Sequence, residues 1–325
     1  MKKFVKLLAF SCSAVLAATS FATFAACGNE KAVIGIMQYG SHESLNNCYE
    51  GVMQGLTAAG IDTKDYKIEL VNDNFDGDTA NSHATAFVNK GAKVIVGIAT
   101  PSAMAAANQA NGEVPVVYCA VTDGAVMSGY NNVCGSSDRP NFEKQLEVVT
   151  SFLGKSDVNI GVISHTGESS DAVQIEELNE AAKKYDGMKT TVKYITEIST
   201  ITTVVDSLIN ENVDCFINLL DNTVVGQLQT ILARTNEAGI PVFGSEVEQV
   251  VKGCLASASI DYIEIGKIAG EMAGQIVLGQ KQASDLGCKV ISNPTLYYNK
   301  NVAETLKVTI PTDLEGLIST EQYSK

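Results

Sequence analysis

The chain has 325 residues, of which 45% are hydrophobic and 18% charged. This composition excludes an intrinsically disordered chain, and the length suffices for two domains with full cores. The formal net charge of -14 excludes nucleic acid and anionic lipid as main partners, because both are bound chiefly through Lys and Arg. With only two arginines, Arg139 and Arg234, phosphate and dicarboxylate ligands are also disfavoured.

Residues 1–26 predict a signal peptide, with three early lysines, an apolar run at residues 7–16 and then small residues. The apolar run is too short for a convincing membrane span. The sequence Phe24-Ala25-Ala26-Cys27 resembles the lipobox of bacterial lipoproteins, in which the cysteine becomes the lipidated first residue. We therefore predict lipidation at Cys27, a spacer at 27–31 and anchoring in the cell envelope outside the cytoplasm. Cleavage by ordinary signal peptidase, which would release a soluble protein, is the alternative.

The next part of the chain follows a plan that is used twice. Residues 32–37 predict a buried strand, followed by a polar loop and by a helix that ends near Gly60. Residues 158–164 begin the same series again, with a polar loop at 165–170. In both halves strands alternate with helices, which is typical of parallel sheets with right-handed crossovers.

A second pair of matching stretches places polar residues at strand ends. One buried strand leads into Thr100-Pro101-Ser102 and another into Asp221-Asn222-Thr223, and each triplet begins a helix. Small ligands of open parallel sheets bind beyond the carboxyl ends of the strands, where helix N-termini offer free N–H groups. The sequence therefore predicts a ligand between two lobes.

The last part of the chain is too short to form a domain. A helix is predicted at 261–278, and residues 289–310 then cross back between lobes. We predict lobe 1 at 32–140 plus 256–285 and lobe 2 at 141–255 plus 286–325. The fold class is α/β, with two Rossmann-like lobes joined by hinge strands.

Six motifs occur in this order along the chain: Ser41-His42, Ala99-Thr100-Pro101-Ser102-Ala103, Ala120-Val121-Thr122-Asp123, Leu220-Asp221-Asn222-Thr223-Val224, Asp261-Tyr262 and Thr309-Ile310-Pro311. They resemble those of ABC-transporter substrate-binding lipoproteins of the tryptophan and tyrosine type. The resemblance covers essentially the whole mature chain. It implies a type I periplasmic-binding-protein fold and capture of a free aromatic amino acid for a permease and its ATPase. Leu220 and Gly124 depart from the pattern, which usually has Thr and Pro there.

A free amino acid presents a carboxylate and an ammonium, so its site needs clustered donors and at least one carboxylate. The predicted donors to the ligand carboxylate are Thr100, Ser102 and Thr122. The predicted partners of the ammonium are Asp123, Asp221 and Glu246, oriented by Asn222 and Thr223. Gln38 and His42 are expected to complete the polar shell. Each helix-starting triplet is also a good cap in its own right, and capping is compatible with binding.

The sequence gives little support for a metal site, for disulfides or for catalysis. Asn72-x-Asn74-x-Asp76-Gly77 resembles the start of a calcium loop, but its flanks predict strand and helix, so a turn with an Asp78 cap is favoured over a metal site. The six cysteines after Cys27 are expected to be buried thiols, with Cys119 and Cys134 the candidate disulfide pair. No nucleophile elbow, Walker loop or dinucleotide motif is found, so we predict binding without turnover and no cofactor.

Two further functions stay open. A nucleoside- or sugar-binding lipoprotein of the same fold ranks lower, because sugar sites favour flat aromatic platforms and this chain has no tryptophan. A surface adhesin or sensor that uses the fold to dock a protein is the other alternative.

Overall fold

The computed structural model describes residues 31–291 and 293–323. The predicted signal peptide and Cys27 lie outside this range. None of the helices in the described ranges is long and apolar enough to cross a membrane.

The first half alternates strand and helix as its apolar pattern predicts. Its elements are β1 (Ala32–Gln38), α1 (Glu43–Ala58), β2 (Tyr66–Asn72), α2 (Gly77–Asn89), β3 (Val94–Ile98), α3 (Thr100–Ala110), β4 (Val116–Cys119) and β5 (Val133–Ser137). The chain then enters α4 (Phe142–Leu153), which starts the second half. Strands β3 and β4 are buried along their whole length, as expected for a parallel sheet covered on both faces.

The second half repeats the alternation. Its elements are β6 (Asn159–His165), α5 (Asp171–Ala182), β7 (Lys189–Ile195), α6 (Ile201–Asn210), β8 (Cys215–Ile217), α7 (Asn222–Val225), α8 (Leu228–Ala238), β9 (Val242–Phe243), α9 (Val247–Val251) and β10 (Ala256–Ser259). The C-terminal part adds α10 (Tyr262–Val277), α11 (Ala283–Leu286), β11 (Cys288–Val290), β12 (Thr295–Tyr298), α12 (Lys300–Leu306) and β13 (Leu317–Ser319).

The strands form three sheets. The first has the order β11-β5-β4-β3-β1-β2, the second β7-β6-β8-β9 and the third β10-β12-β13. The third sheet continues the second, because Leu255 N donates to Val242 O at 2.7 Å and Gly244 N donates to Ala256 O at 3.0 Å. Each lobe therefore has a sheet whose carboxyl-terminal strand ends carry loops toward the other lobe.

Two short strands pair across the predicted lobe boundaries. Strand β10 pairs with β12 beside the second lobe, whereas β11 pairs with β5 of the first sheet. Strand β10, predicted in lobe 1, therefore joins a strand of predicted lobe 2, and β11, predicted in lobe 2, joins a strand of predicted lobe 1, since three or four residues contain no signal for the sheet that they join. The division into lobes with the remaining extents stays a prediction.

Two smaller expectations also need correction. Helix α2 is capped by Asp76, whose carboxylate accepts from Thr79 N at 2.7 Å, and not by Asp78. Cys119 and Cys134 are free buried thiols, because the register of β4 and β5 sets Cys134 beside Val117. The other cysteines of the described residues are free as well, and Cys288 is exposed. The described residues contain no group of His, Cys, Asp and Glu that could hold a metal ion.

Glycines bring α1 and α10 into backbone contact over the first sheet. A Cβ built at Gly55 would lie 2.1 Å from Lys267 O, and one built at Gly270 would lie 2.2 Å from Val52 O. Gly51 and Gly266 face the opposite helix in the same way. Two Gly-x-x-x-Gly spacings therefore set how closely these helices approach.

We expect Gly55→Ala to destabilise the fold by about 1–3 kcal/mol, because the added methyl group meets rigid backbone and forces the helices apart. Gly77→Ala is the matched control, since a Cβ there meets nothing within 4 Å and alanine favours a helix. Urea unfolding of both variants measures the difference. Equal stability of the two variants would show that α1 and α10 can separate at no cost.

Candidate ligand-binding site

The loops that follow the strands of both lobes enclose a small cavity. Its free volume is about 20 Å³. The first lobe contributes His42, Leu45, Ala99, Thr100, Ala120, Thr122, Asp138 and Tyr262. The second lobe contributes Glu168, Ser170, Leu220, Asn222, Val225 and Glu246.

The sheet order fixes how these residues are arranged along the cleft. In the first lobe, His42 follows β1, Ala99 follows β3, Ala120 follows β4 and Asp138 follows β5. In the second lobe, Glu168 follows β6, and the loops after β8 and β9 come next in the sheet. His42 and Glu168 therefore lie toward one end of the cleft, while Asp138 lies toward the other.

Two alanines at the strand ends are held in unfavourable backbone conformations. Ala99 has φ 73° and ψ 156°, and Ala120 has φ 54°. The Ala99 conformation is essentially confined to glycine, and such residues cost about 1–3 kcal/mol each. Strain of this kind persists only where surrounding contacts impose it, and it is concentrated at functional sites. Here it shapes the cavity wall at the start of α3.

Two buried acids lie at the β5 and β9 end of the cleft. Asp138 is 5% exposed and its Oδ2 accepts from Tyr262 Oη at 2.8 Å, whereas its buried Oδ1 has no partner among the described residues. Burial raises the pKa of Asp138, while hydrogen bonds from Tyr262 and Thr122 oppose that shift. Glu246 is 2% exposed, and burial raises its pKa as well. An unpaired acceptor of this kind destabilises the site until a donor reaches it.

A third acid lies at the opposite end. Glu168 Oε2 accepts from Asn222 N at 3.3 Å and from Asn222 Nδ2 at 3.1 Å. Burial, and then the charge of Asp221, raise the pKa of Glu168 to about 7. Burial lowers the pKa of His42, so its ring is neutral near pH 7. The described lining thus has three carboxyl groups and no Lys or Arg.

Contacts between the lobes keep the cleft closed. His42 Nε2 lies 3.1 Å from Asn222 Oδ1, and Asn47 Nδ2 donates to Glu248 Oε1 at 2.6 Å. Leu220 of the second lobe is buried in the main hydrophobic cluster of the first. The free volume suits roughly one water molecule. A larger ligand therefore enters only when the lobes part.

Five predicted site residues line the cavity. These are His42, Thr100, Thr122, Asn222 and Glu246. The threonines follow β3 and β4, and Glu246 follows β9, so the strand-end rule places them together. Tyr262, part of the Asp261-Tyr262 motif, also lines the cavity.

The other five predicted residues make hydrogen bonds or ion pairs within a single lobe. Gln38 Nε2 donates to Gly40 O and Asn46 Oδ1, and Ser102 donates to the buried Asp73. Asp123 accepts from Ala125 N and lies 3.6 Å from an Arg139 nitrogen. None of the three lines the cavity.

Asp221 caps helix α7, the capping role that the sequence also predicts for this triplet. Its Oδ1 accepts from the N–H groups of Thr223 and Val224, and its Oδ2 accepts from His165 N at 2.7 Å. Asp221 and Thr223 therefore hold α7 and the β6 loop together outside the cavity lining.

Sequence reasoning missed Asp138 and Glu168. Both follow strands at the same edge as residues that were predicted, so the strand-end rule applied to β5 and β6 would have found them. The lining residues Leu45 and Val225 lie on helices and had no such signal, because apolar helix residues are also typical of the core.

Comparisons with known proteins agree with this geometry. The family model described as ABC transporter substrate binding protein matches residues 33–319. A tyrosine-binding protein of Clostridioides difficile (strain R20291) is 32% identical over 281 residues, which cover 84% of this chain and 80% of the relative.

Two solved structures extend the comparison. An ABC domain in complex with L-Trp from Streptococcus pneumonia is 28% identical, with a TM-score of 0.81, and the match covers 89% of this chain and 100% of that one. The ligand-free, open structure of a substrate-binding protein with adhesive properties from Clostridium difficile is 30% identical, with a TM-score of 0.68 over 89% of this chain and 98% of that one. The chain therefore belongs to the ABC transporter substrate-binding proteins, which bind rather than convert their substrates, and has their two-lobed type I periplasmic-binding-protein fold.

Proposed function

We propose that this chain captures a free amino acid, with an aromatic side chain, in the cleft between its lobes and presents it to an ABC permease and its ATPase. The observation that supports this most directly is the acidic, cation-free lining beside the start of α3. A zwitterion suits both features, because its ammonium can pair with the acidic side chains and its carboxylate with the start of α3. The tyrosine-binding relative and the L-Trp complex support the aromatic class.

The ligand ammonium is assigned to Asp138 and Glu246. Both are buried, and the unpartnered Asp138 Oδ1 gives the ammonium a place to donate. A cation between two carboxylates also favours their ionised forms, which burial alone opposes.

The ligand carboxylate is assigned to the first turn of α3. The first N–H groups of a helix have no partner within it, and the helix dipole favours negative charge there. Thr100 adds a hydroxyl donor next to this turn. Carboxylate and ammonium are then held at neighbouring strand ends of the first lobe.

Closure follows from the division of the site between lobes. Asp138 and Thr100 belong to the first lobe, whereas Glu246 and Glu168 belong to the second. A ligand that contacts both sets binds the closed form more tightly than the open form, so it shifts the population toward closure.

Family members work outside the cytoplasm, and the N-terminus supplies a means of attachment. We infer that Cys27 bears the lipid anchor, on the strength of the motif Phe24-Ala25-Ala26-Cys27 after a signal-like segment.

The direct test of the proposed ligand is the melting temperature of the refolded, signal-free protein against twenty amino acids and a panel of nucleosides and sugars. A ligand at a hundredfold excess over its Kd should stabilise the folded form by about 2.7 kcal/mol. We expect stabilisation by aromatic amino acids. Stabilisation by a nucleoside or sugar alone would replace the proposed ligand, and no response to any compound would remove it.

Asp138→Asn should weaken amino-acid binding by roughly a hundredfold, because it removes the charge that faces the ammonium while keeping the side-chain shape. Asp123→Asn is the matched control, since Asp123 lies outside the cavity lining and should leave the affinity unchanged. Isothermal titration with the ligand found above measures both. Equal affinities of the two variants would separate Asp138 from the ligand.

The stability of the ligand-free protein should fall as pH rises from about 5 to 8. Burial, and then the charge of Glu246, raise the pKa of Glu248 from its ordinary 4.5 to about 7. The folded state therefore holds a proton that the unfolded state loses, and the stability this gives disappears as pH rises through 7. Glu248→Gln should flatten the curve of melting temperature against pH, whereas Glu113→Gln, at an exposed site, should not. Parallel curves for wild type and Glu248→Gln would contradict the assignment.

Cys27→Ala should move the full-length protein from the membrane fraction to the soluble fraction when both are expressed in bacteria. Cys12→Ala is the control, because Cys12 lies within the predicted signal peptide. Mass spectrometry of the mature N-terminus measures the modification. An unmodified N-terminus on the wild-type protein would exclude lipidation.

A further inference from the structure

The acids of the cavity form two groups that one ammonium cannot serve together. Asp138 follows β5 and Glu246 follows β9, whereas Glu168 follows β6. Strand β5 is three positions from β1 in the first sheet, and β9 is two positions from β6 in the second. At about 4.8 Å between neighbouring strands, β5 is roughly 14 Å from β1 and β9 is roughly 10 Å from β6.

The Glu168 end keeps acceptor capacity after its contacts within the protein are counted. Its Oε2 takes both Asn222 donors, while the contact of its Oε1 is with Ser170 Oγ at 3.5 Å, near the limit of a hydrogen bond. Oε1 is therefore the oxygen that can accept from a ligand.

His42 adds a second acceptor at this end. Asn222 Nδ2 donates to Glu168, which turns Asn222 Oδ1 toward His42, so the Nε2 of His42 is the donor in their 3.1 Å contact. The neutral ring then has an acceptor at Nδ1, and this buried atom has no partner among the described residues. The ring is held in place by the parallel ring of Phe75, whose centroid is 6.3 Å away.

Between the two ends the lining is apolar. Leu45, Ala99, Ala120, Leu220 and Val225 supply it. Such a lining suits an aromatic ring once the lobes have parted to admit it, and a polar tip on that ring then reaches the far end.

We propose that Glu168, together with His42, receives a hydrogen-bond donor at the tip of the ligand side chain, and so makes the site select tyrosine or tryptophan over phenylalanine. This inference rests on the proposed amino-acid function. A site built to accept from a ligand O–H or N–H rejects an analogue that lacks it, because its buried acceptors are then left unpaired.

The first test uses the wild-type protein, so no variant has to fold. Isothermal titration compares L-tyrosine with L-phenylalanine and 4-fluoro-L-phenylalanine, and L-tryptophan with 1-methyl-L-tryptophan. In whichever of the two sets binds better, we expect the ligand with the O–H or N–H donor, L-tyrosine or L-tryptophan, to bind roughly 10- to 100-fold more tightly than the analogues that lack it. Equal affinities within both sets would overturn the inference and leave amino-acid binding intact. Failure of all five compounds to bind would instead remove the proposed function.

The second test assigns the selection to a residue. Glu168→Gln should reduce the preference for the donor-bearing ligand by about tenfold, mainly by weakening the binding of that ligand. Glutamine lacks the two charged oxygens with which Glu168 can accept from both Asn222 and the ligand. Glu176→Gln, an exposed position on α5, is the matched control. An unchanged preference in Glu168→Gln would exclude Glu168 as the selecting residue, as would equal weakening of both ligands.

Discussion

Three carboxyl groups, those of Asp138, Glu168 and Glu246, are brought into one closed cleft by loops from two sheets, and the described lining contains no Lys or Arg to offset them. Burial of a carboxylate without a counter-charge is costly, and burial raises the pKa of all three groups. The cleft is therefore complementary to a molecule that supplies positive charge and donors. The same cost disfavours closure without a ligand, which is what a capture protein requires.

The three acids are held in place by close packing within each lobe and by polar contacts between the lobes. Within the first lobe, α1 and α10 meet backbone to backbone through paired glycines, which sets how closely these helices pack. Within the second, Asp221 uses both carboxylate oxygens to join α7 to the loop after β6, which positions Asn222 and Glu168.

The family, the fold class and the strand-end location of the site were all predictable from the sequence, and the comparisons confirm the family and the fold. The strand and helix periods are strong, and polar triplets after buried strands indicate a cleft. Individual side chains were harder to assign. Asp221 and Asp138 both follow a strand, but backbone geometry alone decides that one caps a helix while the other faces the cavity. The sheet that β10 or β11 joins was equally beyond local sequence, because so few residues carry no pairing signal.

Affinity in such a cleft is set partly by contacts that never touch the ligand. Asn47 donates to Glu248 and Leu220 packs into the core of the opposite lobe only when the lobes are shut, so these contacts add to the stability of the closed form. The buried acids act in the opposite direction until the ligand neutralises them. The observed Kd equals the Kd of the closed form divided by the fraction of the protein that is closed. A change at Asn47 alters that fraction, so it alters the affinity for every ligand by the same factor. Changes at residues that contact the ligand side chain alter affinity unequally, and this difference separates control of closure from control of selectivity.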